Sequence, residues 1–258
     1  MAERDDYESL VSLSENEGWN YEVEDFLIME RSGCSKTLVA DHGEIIGMIT
    51  LFDYGEIGWI SNLVVEEEWR KKGVGRSLLI EGIRTLGNKR TIALFSTEES
   101  LPFYLKSGLV ADRDFYFVRF LGGEVGTVSR GEWSDSIEQM DTSCFGYRRG
   151  RLLKLLAESG SIVYPGDRDQ NEPQNQAVEG FAILHPGAKE STVGPVISED
   201  RDFLYSAMGA LGIGSTAVTP FPNPRYTETV FKVTLMYLGE KPKINLKKAM
   251  AFAGLEYG

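Results

Sequence analysis

Between Val64 and Leu79 the chain reads "VVEEEWRKKGVGRSLL", with Gly73 and Gly75 placed where a helical pattern of Val74, Leu78, Leu79, Ile83 and Leu86 begins. Glycine costs a helix roughly 1 kcal/mol per residue relative to alanine. A strand ending at Val65 and a helix starting near Gly73 would leave successive backbone N–H groups exposed at the positive end of the helix, which is an anion seat. The two glycines remove the Cβ atoms that would hold phosphate oxygens off those amides. Arg70, Lys71, Lys72 and Arg76 add flexible cations around the same point. The chemistry this spacing suggests is the binding of a diphosphate. Glycines at a helix start also serve close side-chain contact, and "EEEWRKK" reads equally as a solvated loop. Neither "GxxxxGK[ST]" nor "GxGxxG" occurs, so a nucleotide P-loop and a dinucleotide fingerprint do not fit.

The elements that must hold this turn can be read around it. Asp5 to Ser32 predicts one or two amphipathic helices broken near "ENEGWN". Three short runs rich in β-branched and aromatic residues follow, "KTLVA", "EIIGMITLF" and "EIGWISNLVV", separated by "DHG" and "DYG". They predict an antiparallel meander with tight turns. After the helix, which Gly87 and Asn88 end, "TIALFS" (Thr91 to Ser96) suits a covered central strand. "SLPFYLKSG" predicts a short helix capped by Ser100 and stopped at Gly108. A terminal hairpin over about Val110 to Leu121 would complete the unit, with "LGGEVGTVSRGE" as linker.

A second part then begins with a helix, "RLLKLLAESG", followed by "SIVYPG", a polar loop "DRDQNEPQNQ" and a strand "AVEGFAILH". Its order echoes the first: "EIIGMITLF" with "AVEGFAILH", "SNLVVEEEWR" with "TVGPVISEDR", "LLIEGIRTLG" with "FLYSAMGALG". This is a weak internal repeat, resting on order and spacing. The second copy lacks the glycine pair.

Bulk properties bound the function. The chain has 258 residues, 42% hydrophobic and 26% charged, enough to bury one large core or two modest ones. No apolar stretch approaches the roughly 20 residues of a membrane span, and "MAERDDYES" is no leader, so a cytoplasmic protein is expected. Cys34 and Cys144 have no spacing that suggests a metal site or disulfide framework, and no metal is expected. The net charge is −12, with 14 Lys+Arg against 23 Asp+Glu over residues 1–130. Such a field repels polyanions, which argues against nucleic acid or an anionic membrane as partner and favours small cations.

The stretch Arg-x-x-Gly-x-Gly directly after "LVV" resembles the coenzyme A motif of the GNAT (GCN5-related N-acetyltransferase) superfamily. The same family places a tyrosine before Lys-x-Gly-Phe, and "FYLKSGL" here puts Tyr104, Gly108 and Leu109 in those places. The resemblance covers roughly Tyr7 to Gly122. It implies an α/β (α+β) fold with a mixed, mostly antiparallel sheet flanked by helices. It further implies a GNAT domain over residues 1–125 and a smaller, degenerate GNAT-like domain over 131–258.

By that resemblance, Leu63, Val64 and Val65 lie on a strand that splays from the one at Thr91, and the pantetheine arm of acetyl-CoA pairs with its free edge. The Val65 amide, or one adjacent, would polarise the thioester oxygen. Arg70, Lys71, Lys72, Gly73, Val74 and Gly75 would hold the pyrophosphate, while Arg76 and Ser77 reach the diphosphate or ribose phosphate. Tyr104 is the implied general acid, and Thr97 would orient the chain entering its helix. The general base of relatives is often a strand carboxylate, but its place here is Trp59. Among Asp53, Glu56, Glu98 and Glu99, Glu56 is preferred because it starts the strand leading into the site. His42 and His185 have no partner at a useful spacing. Two more departures are Lys71, where a small residue is common, and the acids preceding the cations. The second copy's "VISEDRDFLY" has lost its glycines and should not bind CoA, but should cover the first domain's cleft. The implied assembly is a monomer with an internal pseudodimer, or a weak homodimer.

Three functions stay open on these grounds. One is transfer of acetyl from acetyl-CoA to a primary amine, on a small molecule or a peptide. The second is a non-catalytic acyl-CoA-binding regulatory module, and the third a structural pseudodimer with a vestigial site.

Overall fold

A computed structural model describes residues 1–166, 179–187 and 190–258. Tyr7, Leu10 and Leu13 fall on one side of α1 (Tyr7–Glu15), and Phe26, Ile28 and Met29 are buried from α2 (Val23–Ser32). The break between them covers the "ENEGWN" stretch, as its glycine and asparagine predict. The meander is present as β1 (Ser35–Asp41), β2 (Ile45–Asp53) and β3 (Ile57–Val65), all antiparallel. Its two turns are closed by aspartates: Asp41 accepts from the Gly43 amide at 2.7 Å and Asp53 from the Gly55 amide at 2.9 Å.

Then come α3 (Val74–Leu86), β4 (Thr91–Thr97), α4 (Leu101–Lys106) and β5 (Val110–Phe120). Here the expected hairpin is corrected. Val110–Phe120 is a single strand of 11 residues, because "VADRDFYFVRF" holds no turn residue pair to reverse it. Its neighbour comes from far along the chain. The remaining elements are β6 (Val128–Gly131), α5 (Asp135–Phe145), α6 (Gly150–Ser159), β7 (Ser161–Pro165), β8 (Gly180–His185), β9 (Thr192–Ser198), α7 (Asp202–Leu211), β10 (Thr216–Thr219), β11 (Thr227–Gly239) and β12 (Ala249–Ala251). The expected linker thus contains a strand, β6, paired to β7, and α5 was not anticipated. The polar loop "DRDQNEPQNQ" lies outside the described residues.

Among the described residues 12 strands form one sheet, in the order β1-β2-β3-β4-β11-β5-β10-β9-β8-β7-β6, with β12 on β9. Strand β11 runs between β4 and β5, antiparallel to both. The sequence division near residues 125–131 therefore does not divide the sheet. Side chains alternate between its faces. Met48, Phe52, Trp59, Ala93, Phe181 and Ile183 point into a core shared with α1, α2, α5 and α6. On the opposite face Ile49, Leu51, Ile60, Ile92 and Leu94 meet α3 and α4, and Ala182, Leu184 and Val193 meet α7.

The internal repeat is visible in this order. Helix pair, three-stranded meander, crossover helix and fourth strand occur as α1-α2-β1-β2-β3-α3-β4 and again as α5-α6-β7-β8-β9-α7-β10. Each copy joins its third and fourth strands in parallel, through Ile57–Thr91 and Thr192–Thr216. Among the described residues no helix is long and apolar enough to cross a membrane.

Candidate active site

The parallel pairing of β3 with β4 covers only Ile57–Trp59 against Thr91–Ala93. Beyond it the strands part, while β2 stays paired to the other edge of β3 as far as Gly47–Val65. The cause is local. Asn62 sits in the left-handed region at φ 51, and the β2 register shifts between Met48 and Thr50, which is a bulge that bends β3 away. Its side chain is tied on both sides: Oδ1 accepts from the Tyr21 hydroxyl at 2.8 Å, and Nδ2 donates to Thr50 Oγ1 at 3.4 Å. Leu63, Val64 and Val65 follow directly, on a strand edge that β4 does not cover.

The turn after β3 is shaped by two left-handed residues, Lys71 at φ 62 and Gly73 at φ 92. Such alternation turns successive amides inward to a concave anion seat. Among the described residues, the amides of Lys71 to Arg76 have no acceptor, and the first that does is Ser77, which donates to the Gly73 carbonyl at 3.0 Å. A methyl group at Gly73 would meet nothing within 4 Å, and one at Gly75 only Val65 Cγ2 at 3.5 Å. The hollow is bare peptide, a surface on which an anion could reach the amides. Lys71 holds its left-handed conformation although it is not a glycine, a backbone state a non-glycine residue seldom adopts.

The cations are distributed unevenly. Arg70 donates through Nε to the Val65 carbonyl at 2.8 Å and pairs with Glu17, so it braces the end of β3. Lys72 lies 4.7 Å above the Trp69 ring. Lys71, Arg76 and Ser77 are exposed, and neither Lys71 nor Arg76 has a carboxylate partner among the described residues. Val74 joins the core beneath α3. Glu66, Glu67 and Glu68 line, with Glu17 and Arg70, an adjacent cavity of about 510 Å³.

Tyr104 is buried in the cluster that holds Leu78 and Leu79 of α3 and Leu94 of β4. Burial pushes its phenol well above the ordinary tyrosine range, so it stays protonated. Thr97 ends β4, its Oγ1 donating to Ser100 Oγ at 3.3 Å and its carbonyl accepting from the Ser100 amide at 3.2 Å. It thereby sets the entry to α4. Glu56 is not brought to the site. It precedes the opposite end of β3, roughly 30 Å from Val65 along an extended strand, and pairs on the surface with Arg90 at 3.3 Å. Proximity in sequence misled because a strand carries its two ends apart. Trp59, at the place of the expected acid, is buried, and its Nε1 has no partner among the described residues.

The second copy shows what closure looks like. Its turn caps itself, with Ser198 Oγ accepting from the Asp200 amide at 3.0 Å and Asp200 from the Asp202 amide at 2.9 Å. The gap between β9 and β10 is filled by β12, through Ser198 to the Lys248 carbonyl and Phe252 to the Val218 carbonyl, both 2.9 Å. Sequence reasoning missed this segment, as it missed Tyr21. Asn62 alone carried a signal, a polar residue inside "WISNLVV".

Residues 3–109 match the model of the Acetyltransferase (GNAT) family. Among curated proteins it is similar to the uncharacterized N-acetyltransferase YitH of Bacillus subtilis, 23% identical over 216 residues, 80% of this chain and 74% of that one. A solved structure of a provisionally assigned acetyltransferase from Pyrococcus horikoshii has a similar fold over 100% of this chain and 94% of its own, with a TM-score of 0.81 at 20% identity. A GCN5-related N-acetyltransferase from Sphaerobacter thermophilus covers 95% and 96%, with a TM-score of 0.56 at 12% identity. The GNAT fold of the first half, extended by the second half's strands, is thus a full-length architecture found elsewhere.

Proposed function

We propose that the chain moves an acetyl group from acetyl-CoA to a primary amine by direct attack in a ternary complex. The observation that carries this reading is the open β3–β4 splay adjoining a turn of acceptor-free amides. When bound, acetyl-CoA supplies an activated acyl group whose thioester carbon is the electrophile. The amides of Lys71 to Arg76, with Lys71, Lys72 and Arg76, hold the diphosphate, while the uncovered edge of Leu63, Val64 and Val65 aligns the pantetheine arm and donates toward the thioester oxygen. Arg70 keeps the end of that edge in place. Tyr104 gives a proton to the sulfur as it leaves. The second half contributes β11 to the sheet and covers the acceptor face, within one chain.

The acidic field favours a cationic acceptor. Mixing the protein with acetyl-CoA and a set of primary amines (a diamine, a polyamine, lysine and a peptide N-terminus) should release CoA thiol at a rate that depends on the amine. Binding of CoA by calorimetry with no thiol release from any amine would favour the non-catalytic reading instead, to which the absence of a carboxylate at Trp59 gives weight.

A further inference from the structure

We infer that Glu256, delivered by the C-terminal segment to the first half's acceptor face, is the general base missing from β3; this rests on the transferase reading above. The segment after β12 crosses to the α1–α2 face and is locked there. Phe252 lies within 5.0 Å of the Phe95, Phe115 and Phe145 rings. Tyr54 Oη donates to the Tyr257 carbonyl at 2.9 Å, and the buried Arg149 donates to the carbonyls of Tyr257 and Gly258. A methyl group on Gly258 would stand 2.7 Å from the Trp59 ring. The position where a strand acid is expected is therefore covered by this segment, which brings an acid of its own.

Glu256 is half-buried, and Tyr21, Asp25, Tyr257 and Glu190 are the groups whose fields reach it or feel it. Tyr21 is the residue that holds Asn62, at the bulge directly before Leu63 to Val65. On β3 itself two buried polar atoms, Trp59 Nε1 and Ser61 Oγ, have no partner among the described residues. Asp25, Glu190 and Glu256 form no ion pair with a described lysine or arginine. The three carboxylates, each half-buried, suit a protonated amine. Burial first, and then Asp25 and Glu190, push the Glu256 carboxyl up to about 7, against the backbone amides of Glu256 and Leu255. The Asp25 carboxyl is itself raised, by burial first, while His185 pulls it down.

The step balances within the site. Glu256 takes one proton from the acceptor's ammonium, the free amine forms the C–N bond as the C–S bond breaks, and Tyr104 protonates the departing sulfur. The second proton shed by the nitrogen restores the Tyr104 hydroxyl, so the products are the amide, CoA thiol and one proton held on Glu256. Glu256→Gln should lower kcat with the amine set at least about 100-fold, leave CoA binding by calorimetry within twofold, and remove the acid limb of the pH–rate profile. Glu256→Asp, which keeps the charge but withdraws it by one carbon, should keep that limb at a reduced kcat. Transfer by E256Q at the wild-type rate with the limb intact overturns the assignment of Glu256 alone. Absence of transfer by the wild type, with every amine, overturns the transferase reading and this inference together.

Discussion

Arg149 grips Asp141 through two bonds, Nε to Oδ2 at 3.1 Å and Nη2 to Oδ1 at 3.0 Å, with neither side chain more than 1% exposed. The same guanidinium holds the segment that carries Glu256, and its face rests on Phe145. A buried pair of this kind is a weak source of net stability, but removing one partner strands the other's charge. Arg149→Met should therefore destabilise the protein by about 3–5 kcal/mol, read by denaturant unfolding. The double variant Arg149→Met with Asp141→Leu should recover a large part of that loss, because no charge is left buried.

Gly75→Glu places a carboxylate at the mouth of the amide hollow while meeting only Val65 at ordinary contact distance. The fold should be retained and CoA affinity should fall on the order of 100-fold, since like charges brought together cost several kcal/mol. Calorimetry with CoA, alongside a thermal melt, separates the two effects. Unchanged affinity would remove the hollow from the site.

Tyr104→Phe deletes a hydroxyl and little volume from the α3–α4 core. Turnover should fall at least about tenfold, with CoA affinity nearly unchanged. Because burial holds the phenol above its usual range, the residue should add no titration to the pH–rate profile near neutrality. A full-rate variant would reduce Tyr104 to a core residue.

Glu256 also makes a prediction that needs no substrate. Its ordinary carboxyl value of 4.5 is raised to about 7 in the fold. The folded state therefore binds the proton more tightly than the unfolded chain, and its contribution to stability is full below pH 4.5 and is lost as pH rises through about 7. Glu256→Gln should be more stable than the wild type at pH 8, by up to about 3 kcal/mol and less to the extent that water reaches the group. The difference should vanish toward pH 4, as parallel urea titrations would show.

The local features were legible in the residues themselves. Gly73 and Gly75 announced a bare turn because only a missing Cβ leaves amides open, and the period of Val74, Leu78, Leu79, Ile83 and Leu86 marked the helix behind it. The turn aspartates at Asp41 and Asp53 closed hairpins through bonds spanning two residues. Even the repeat showed, since strand and helix periods survive divergence. The hairpin over Val110 to Leu121 and the choice of Glu56 failed for one reason. Both assumed that neighbours in sequence are neighbours in space.

The bare glycine turn, the strand and helix order of each copy, and the tyrosine of α4 were all set by interactions a few residues long and so were readable from the residues alone. Only the assembled fold makes β11 complete the first half's sheet, β12 fill the second half's gap, and the segment around Tyr257 dock against Tyr54 and Arg149. Those contacts close loops as long as the one joining Tyr54 to Tyr257, a sequence separation of 203. No local spacing encodes such a closure, because what selects it is the burial of Phe252, Trp59 and their neighbours in a core that exists only once both halves have met.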